Sequence, residues 1–387
     1  MADIYFDNAA ATPIAPQVQR AMARAQKHFA NPSSFNDAGR ASAVLLDEAR
    51  SGVATFLNAR ADEVVFCSSG SEANTLAICG SVRARGSGSI ITAPTEHLSV
   101  LEVVASLHND GHAVEFLKVD GEGRVGIEEL LKKLIPSVTV VSLMYANNEI
   151  GTIAPIARIG RAIAQWRKEH RSAYPLFHVD ACQATTTLDM DVQRLGVDLL
   201  TFNGAKAYGP HGCAVLFVRR GIALEPVVHG GSQERGRRAG TEDIASACGL
   251  AVAVQLITPT DAPRLASLRD RFISGIISKI PDAHINGPVG DSRLAGNINF
   301  SIPGCDSENL LLELDRHDIR AGSGSACTAH RVEPSHVLVA IGTPKQYLEG
   351  ALRFSLGRQS TKKEVDRVLK ILPQCIARVR ARRARAS

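Results

Sequence analysis

Between residues 63 and 220, short apolar runs of β-forming residues alternate with amphipathic stretches of helical period. This alternation constrains the fold more than any other feature of the chain. It predicts strands over 64–67, 90–93, 114–119, 138–144, 176–179, 199–202 and 214–218, with helices over 72–85, 98–109, 127–134 and 156–169. Seven strands interleaved with helices read as α/β: a mostly parallel sheet covered by helices. Polar, proline-bearing residues 258–263 read as a linker. Beyond them the pattern changes to helix, strand, helix, loop, helix, strand, helix, which predicts a second, smaller α/β domain.

The chain has 387 residues, of which 45% are hydrophobic and 21% charged, the balance of a soluble globular protein. No apolar run reaches the roughly 18 residues of a membrane helix. Residues 1–7 lack the basic and apolar regions of a signal peptide, so a cytoplasmic enzyme with no membrane partner is expected. Eight cysteines show neither a CxxC pair nor zinc spacing, so neither a disulfide framework nor a metal is expected. A net charge of +5 is too small to imply direct nucleic-acid binding. Part of it comes from the tail 378–385, which reads either as a solvated helix end or as a basic arm for an acidic partner.

Ligands in such sheets lie beyond the carboxyl ends of the strands, and the residues with chemical potential fall there. Lys206 follows the apolar run 197–202 and precedes Gly209-Pro210, where a strand ends and the chain turns toward a cleft. A desolvated amine loses its proton and forms a Schiff base with pyridoxal phosphate. That cofactor needs a carboxylate at its pyridine nitrogen, and Asp180, ending another strand, suits the role. Gln183, three residues on, is placed to bond the ring hydroxyl. The segment 67–74, with Gly70 and Ser71, ends a strand and opens a helix whose free N–H groups suit a phosphate. His97 enters the same cleft and can stack on a ring or exchange protons.

Asn147 and Asn148 end a further strand and read either as turn formers or as ligands of a substrate carboxylate or ring oxygen. The loop 234–241 is basic and glycine-interrupted, which suits an anion or a solvated surface. Arg353, inside an apolar strand-like run, needs a buried acidic partner or a bound carboxylate. Cys327 lies in the small-residue loop 321–330, which gives a thiol no packing reason and marks it as a nucleophile candidate.

With these motifs in order, the chain resembles the pyridoxal-phosphate-dependent cysteine desulfurases of the NifS/IscS type, within the fold-type I aminotransferase superfamily. The matching segments run from Asp7-Asn8-Ala9-Ala10, through Gly70-Ser71-Glu72-Ala73-Asn74, Thr95-Glu96-His97, Asn147-Asn148-Glu149-Ile150-Gly151 and His178-Val179-Asp180-Ala181, to Lys206 with Tyr208-Gly209-Pro210. They continue through Ser323-Gly324-Ser325-Ala326-Cys327-Thr328, Glu333-Pro334-Ser335-His336 and Arg353-Phe354-Ser355-Leu356-Gly357-Arg358.

The resemblance implies a large domain over 16–258 and a small one formed by 1–15 and 264–387, with the cysteine loop at about 321–332. It implies that Lys206 carries the cofactor, Asp180 pairs with its ring nitrogen, His97 stacks on the ring and Gln183 contacts the ring oxygen. Gly70 and Ser71 would hold the phosphate, joined by Thr241 from the other subunit of a homodimer. Asn148 and Arg353 would bind the carboxylate of L-cysteine, and Cys327 would take its sulfur as a persulfide. An acceptor protein would follow: an iron–sulfur scaffold, a tRNA-thiolation enzyme or a DNA-sulfur-modification partner. A selenocysteine lyase, an aminotransferase and a catalytically idle sulfur-transfer scaffold are the rival readings. One departure stands out. Relatives carry Ser-(Ala/Gly)-His before the lysine where this chain has Asn203-Gly204-Ala205, so the phosphate is expected to be anchored more weakly or differently, with Asn203 in the serine's place.

Overall fold

The computed structural model describes residues 3–324 and 334–386. All seven predicted strands form one sheet. They are β2 (Val64–Cys67), β3 (Ser89–Thr92), β4 (Val114–Phe116), β5 (Val138–Met144), β6 (Leu176–Asp180), β7 (Leu199–Asn203) and β8 (Ala214–Val218), preceded in the chain by the short β1 (Ile4–Tyr5). The sheet order is β2-β8-β7-β6-β5-β3-β4, and β8 alone runs against its neighbours. Every residue of β5 is buried, as expected of a central parallel strand covered on both faces.

Strand ends depart from the prediction where pairing extends them. Asp180 pairs with Met144 and Thr201, and Asn203 with Ala214, so each is the last residue of its strand. Helices α1 (Pro16–Ala25), α2 (Asp37–Phe56), α3 (Gly70–Arg85), α4 (Leu98–Asn109), α5 (Ile127–Lys133), α6 (Ile156–His170), α7 (Val192–Leu195) and α8 (Ile244–Gln255) surround the sheet. α3 starts two residues before its predicted position because the Ser69 side chain accepts the Glu72 N–H and caps it. α1 and α2 both pack on α8.

The second half of the proline-bearing linker is not a loop. Asp261 to Pro263 form the first turn of α9 (Asp261–Lys279), where a proline lacks no needed hydrogen bond. The rest comprises β9 (His284–Ile285), β10 (Asn297–Ser301), α10 (Ser307–Asp315), β11 (Ile319–Arg320), α11 (His336–Ala340), β12 (Ala351–Ser355) and α12 (Lys362–Ala386). β12, β10 and β9 make an antiparallel sheet, while β1 pairs in parallel with β11. A second core gathers here around Phe6, Phe272, Phe300 and Phe354, whose rings contact one another. Among the described residues, no helix is long and apolar enough to cross a membrane.

Several arginines of both basic segments pair with the protein's own carboxylates. In α12, Arg378 and Arg382 reach Glu313, Arg380 reaches Asp282, and Arg383 reaches Glu349. In the loop 234–241, Arg238 pairs with Glu72 at 2.8 Å, while Glu234 is buried and accepts two bonds from Arg50 and one from the Phe66 N–H. This fork ties α2, β2 and the loop together. Glu234→Ala, which strands the Arg50 guanidinium in the interior, is expected to cost on the order of 3 kcal/mol. A lowered unfolding midpoint in urea, with a smaller loss in Glu234→Gln, checks it.

Candidate active site

The parallel strands β5, β6 and β7 end on one side of the sheet, and a cavity of about 310 Å³ opens there. Lys206 lies on the tight turn that follows β7. The Asn203 side chain caps this turn by accepting the Lys206 N–H at 3.2 Å. Gly204 permits it, since a Cβ there would come within 2.4 Å of the Pro210 carbonyl oxygen. The N-terminal segment lies along the same turn: the Thr12 N–H and Oγ1 donate to the Ala205 carbonyl at 2.8 and 3.0 Å, and Lys206 Nζ donates to the Ala10 carbonyl.

Asp180 lines the cavity at the end of β6. Its carboxylate accepts from Asn74 Nδ2 at 2.8 Å and from the Cys182 N–H at 3.0 Å. Gly70 and Ser71, the first residues of α3, also face the cavity. A Cβ on Gly70 would lie 3.0 Å from Asn203 Nδ2 and 3.1 Å from Cys182 Sγ, so the helix end is kept open by the missing side chain. Gln183 Nε2 donates to the Ala9 carbonyl at 3.0 Å.

His97 is both a cap and a cavity residue. Its Nδ1 accepts the Ser99 N–H at 3.1 Å, so the neutral ring carries its proton on Nε2. Burial holds its pKa below the ordinary value. Asp180 opposes this, while the positive charges of Lys206, His336 and Arg353 reinforce it.

Two adjacent asparagines divide the readings offered for them. Asn147 is the turn former: its Oδ1 accepts the Glu149 and Ile150 N–H groups, and its Nδ2 donates to the Thr95 carbonyl. Asn148 lines the cavity, and its carbonyl accepts from Arg353. Arg353 is 2% exposed and has the acidic partner its burial demands, Asp7, at 2.9 Å. Its Nη1 bonds the Asn148 and Gly324 carbonyls, and its Nε is buried without a partner among the described residues.

Thr241 is exposed and does not line this cavity. Cys327 lies outside the described residues, although Gly324, three positions before it, forms part of the wall. Cys182, Glu149 and His336 also line the cavity, and sequence reasoning assigned them no role. Their motif neighbours Asp180, Asn148 and Ser335 were the only signal. Burial pushes the Cys182 thiol well above its ordinary range, with Asp180 adding to it, so that sulfur is a neutral wall atom.

A buried carboxylate, an amine, an imidazole and an open helix N-terminus around a cavity of this size match the four parts of pyridoxal phosphate: ring nitrogen, aldehyde, ring face and phosphate. The aminotransferase class-V family model matches residues 4–368. The chain belongs to that family. Class-V aminotransferases are pyridoxal-phosphate-dependent enzymes of fold type I, and the seven-stranded, mostly parallel sheet is their large-domain sheet. The chain is 41% identical to the cysteine desulfurase IscS of Methanosarcina thermophila, over 97% of this chain and 93% of the relative. Among solved structures, a NifS-like protein superposes with a TM-score of 0.89 at 30% identity, covering 97% of this chain and all of the other. SspA in complex with cysteine gives a TM-score of 0.78 at 32% identity, covering 91% and 98%.

Beneath Asp180, His178 is fully buried between Ser142 Oγ at 2.8 Å and Thr201 Oγ1 at 3.2 Å, and burial lowers its pKa to about 4. Between about 4 and the ordinary 6.5, the unfolded chain binds a proton that the folded one refuses. Stability is therefore lost as pH falls through that window, by roughly 3 kcal/mol in total. His178→Gln is expected to flatten the pH dependence of the unfolding midpoint there; an unchanged slope would contradict the assignment.

Proposed function

We propose that this enzyme is a cysteine desulfurase. On this reading it converts L-cysteine to L-alanine and leaves the sulfur as a persulfide on Cys327, from which an acceptor protein takes it. The observation that carries the reading is the cavity itself, which gathers Lys206, Asp180, His97 and Arg353 beyond the strand ends. On this reading the Arg353 guanidinium in the cavity wall would meet the substrate carboxylate, with Asn148 beside it. Full-length relatives named cysteine desulfurase, and a neighbouring structure in complex with cysteine, support the same substrate.

When bound, pyridoxal phosphate supplies an aldehyde that captures the substrate amine and a ring that withdraws electrons from its Cα. Lys206 would carry that aldehyde and, once released, hold the Cα proton at Nζ. Asp180 would pair with the ring nitrogen, kept an acceptor by the donors Asn74 and the Cys182 N–H. Gly70 and Ser71 would hold the phosphate, with the Thr241 of a second subunit. Neutral His97 would lie against the ring and present its Nε2–H, and Gln183 would face the ring oxygen. The Cys327 thiolate would attack the substrate sulfur.

A homodimer would give Phe29 and Phe35, 92% and 95% exposed on the loop between α1 and α2, a surface to pack on. The seven described cysteines carry no disulfide, which suits a reducing compartment such as the cytoplasm. The sulfur acceptor is taken to be an iron–sulfur scaffold or a thiolation enzyme.

Mass spectrometry after exposure to L-cysteine is expected to find one added sulfur on Cys327, and Cys327→Ala is expected to lose alanine formation while keeping the cofactor's visible absorbance. A keto acid instead of alanine would point to transamination. Asn203 commits its Oδ1 to the Lys206 turn and turns its Nδ2 to Cys182 Sγ at 3.4 Å, beside Gly70. The double variant Asn203→Ser, Ala205→His is therefore expected to bind the cofactor more tightly than the parent. Fluorescence titration of the cofactor-free protein measures this, and equal or weaker binding would refute it.

A further inference from the structure

Asn74 is fully buried on α3, one turn after the Gly70 that opens the helix. Its Nδ2 donates to Asp180 Oδ2 at 2.8 Å and to Ser99 Oγ at 2.9 Å, and Ser99 Oγ lies 2.8 Å from His97 Nδ1. These hydrogen bonds join the end of β6, α3 and the start of α4 in one line from Asp180 to His97. The chemistry of the groups sets the direction of each bond. The Asp180 carboxylate accepts, since its Oδ1 takes the Cys182 N–H, so the Asn74 atom facing it is the nitrogen. Both Nδ2 hydrogens are then used, one on Asp180 and one on Ser99. Ser99 Oγ receives that hydrogen and directs its own at His97 Nδ1, which also accepts the Ser99 N–H at 3.1 Å. Asn74 Oδ1 is left buried without a partner among the described residues, the consequence of an amide oriented through its nitrogen.

A proton on Nδ1 would set donor against donor at the Ser99 N–H and turn the hydroxyl hydrogen away. The neutral ring with its proton on Nε2 keeps every bond of the line. Burial acts in the same direction. Among the groups that face the ring, Asp180 at the end of β6 favours the cation, while Lys206 after β7, His336 at the start of α11 and Arg353 in β12 oppose it. Glu96, beside His97 in the chain, and Glu149, after β5, border the same corner with carboxyls that burial pushes up.

Resting on the reading of Asp180 and His97 as cofactor contacts, we propose that Asn74 and Ser99 are positioning residues that hold this carboxylate and this imidazole as one hydrogen-bonded unit. The partner of the ring nitrogen and the partner of the ring face then keep a fixed relation to each other and to the helix end that would hold the phosphate. The line transmits position and polarity; the Asn74 amide passes no proton. The Ser99 N–H selects the tautomer of His97, and the Ser99 hydroxyl stabilises the neutral ring and ties it through Asn74 to Asp180.

In the full chain labelled with nitrogen-15 histidine, with and without bound pyridoxal phosphate, the imidazole nitrogen signals read the tautomer of His97 and its titration midpoint, and His97→Gln identifies them. Ser99 is half-buried, and Ser99→Ala keeps the N–H while removing the hydroxyl. The expected result is an unchanged Nε2–H tautomer with a midpoint at a pH about one higher, because a donor to the neutral ring is gone, and Ser99→Thr is expected to restore the parent's midpoint. Asn74→Ala is expected to weaken pyridoxal phosphate binding about 10-fold in fluorescence titration, since Asp180 loses a donor. A midpoint that stays in place in Ser99→Ala, one that moves equally in Ser99→Thr, or cofactor binding unaltered in Asn74→Ala would overturn the proposal. A parent protein that shows the His97 behaviour but takes up no pyridoxal phosphate would sink the reading of Asp180 and His97 as cofactor contacts and leave the hydrogen-bonded unit standing.

Discussion

A guanidinium buried to 2% exposure must be paired and hydrogen-bonded, and the arrangement of the site follows from how Arg353 meets that demand. It draws its partners from remote parts of the chain: Asp7 after β1, the Asn148 carbonyl after β5, and the Gly324 carbonyl after β11. These contacts bring the N-terminal segment, the large sheet and the small sheet to one wall of the cavity. The Asp7 contact also lays residues 9–12 against the turn of Lys206, where the Ala10 carbonyl receives the amine. One donor, Nε, is buried and has no partner among the described residues.

Burial then selects the protonation state of much of the lining. Glu96 is fully buried and its carboxyl is pushed well above the ordinary range. One of its oxygens accepts the Met144 N–H, and the other has no partner among the described residues. Glu149 is raised too, the Cys182 thiol is held as a thiol, and His97 and His178 are kept neutral. Charge in the lining is thus concentrated in a few well-bonded groups, and bound charges are screened by little else. The opposed tautomers of His97 and His336 follow from backbone partners alone, the Ser99 N–H and the Glu96 carbonyl, so each ring's orientation is part of the fold.

The alternation of strand and helix made the large sheet legible, because buried parallel strands read as continuous apolar runs and their carboxyl ends locate a ligand site. Lys206, Asp180, His97 and Gly70 could be placed there on pattern alone. Neighbouring side chains could not be sorted. Asn147 and Asn148 have identical chemistry, and only the path of the turn after Met144 assigns one to the backbone and the other to the cavity. Glu149 and His336 were visible as motif letters without roles, since their partners, Ser335 and Glu96, are far away in sequence. The basic loop and tail were open to an anion or an acidic partner until Glu72, Glu313, Asp282 and Glu349 were found beside them.

By itself the sequence determined the class of fold and the set of reactive groups, because hydrophobic period and strand-end position are local properties that survive without knowledge of contacts. The tertiary structure decided which of those groups share a cavity, which nitrogen of each imidazole faces it, and which buried charges are already satisfied. Those outcomes depend on hydrogen bonds between residues up to 346 positions apart, as in the pair of Arg353 and Asp7, and no local pattern encodes such distances.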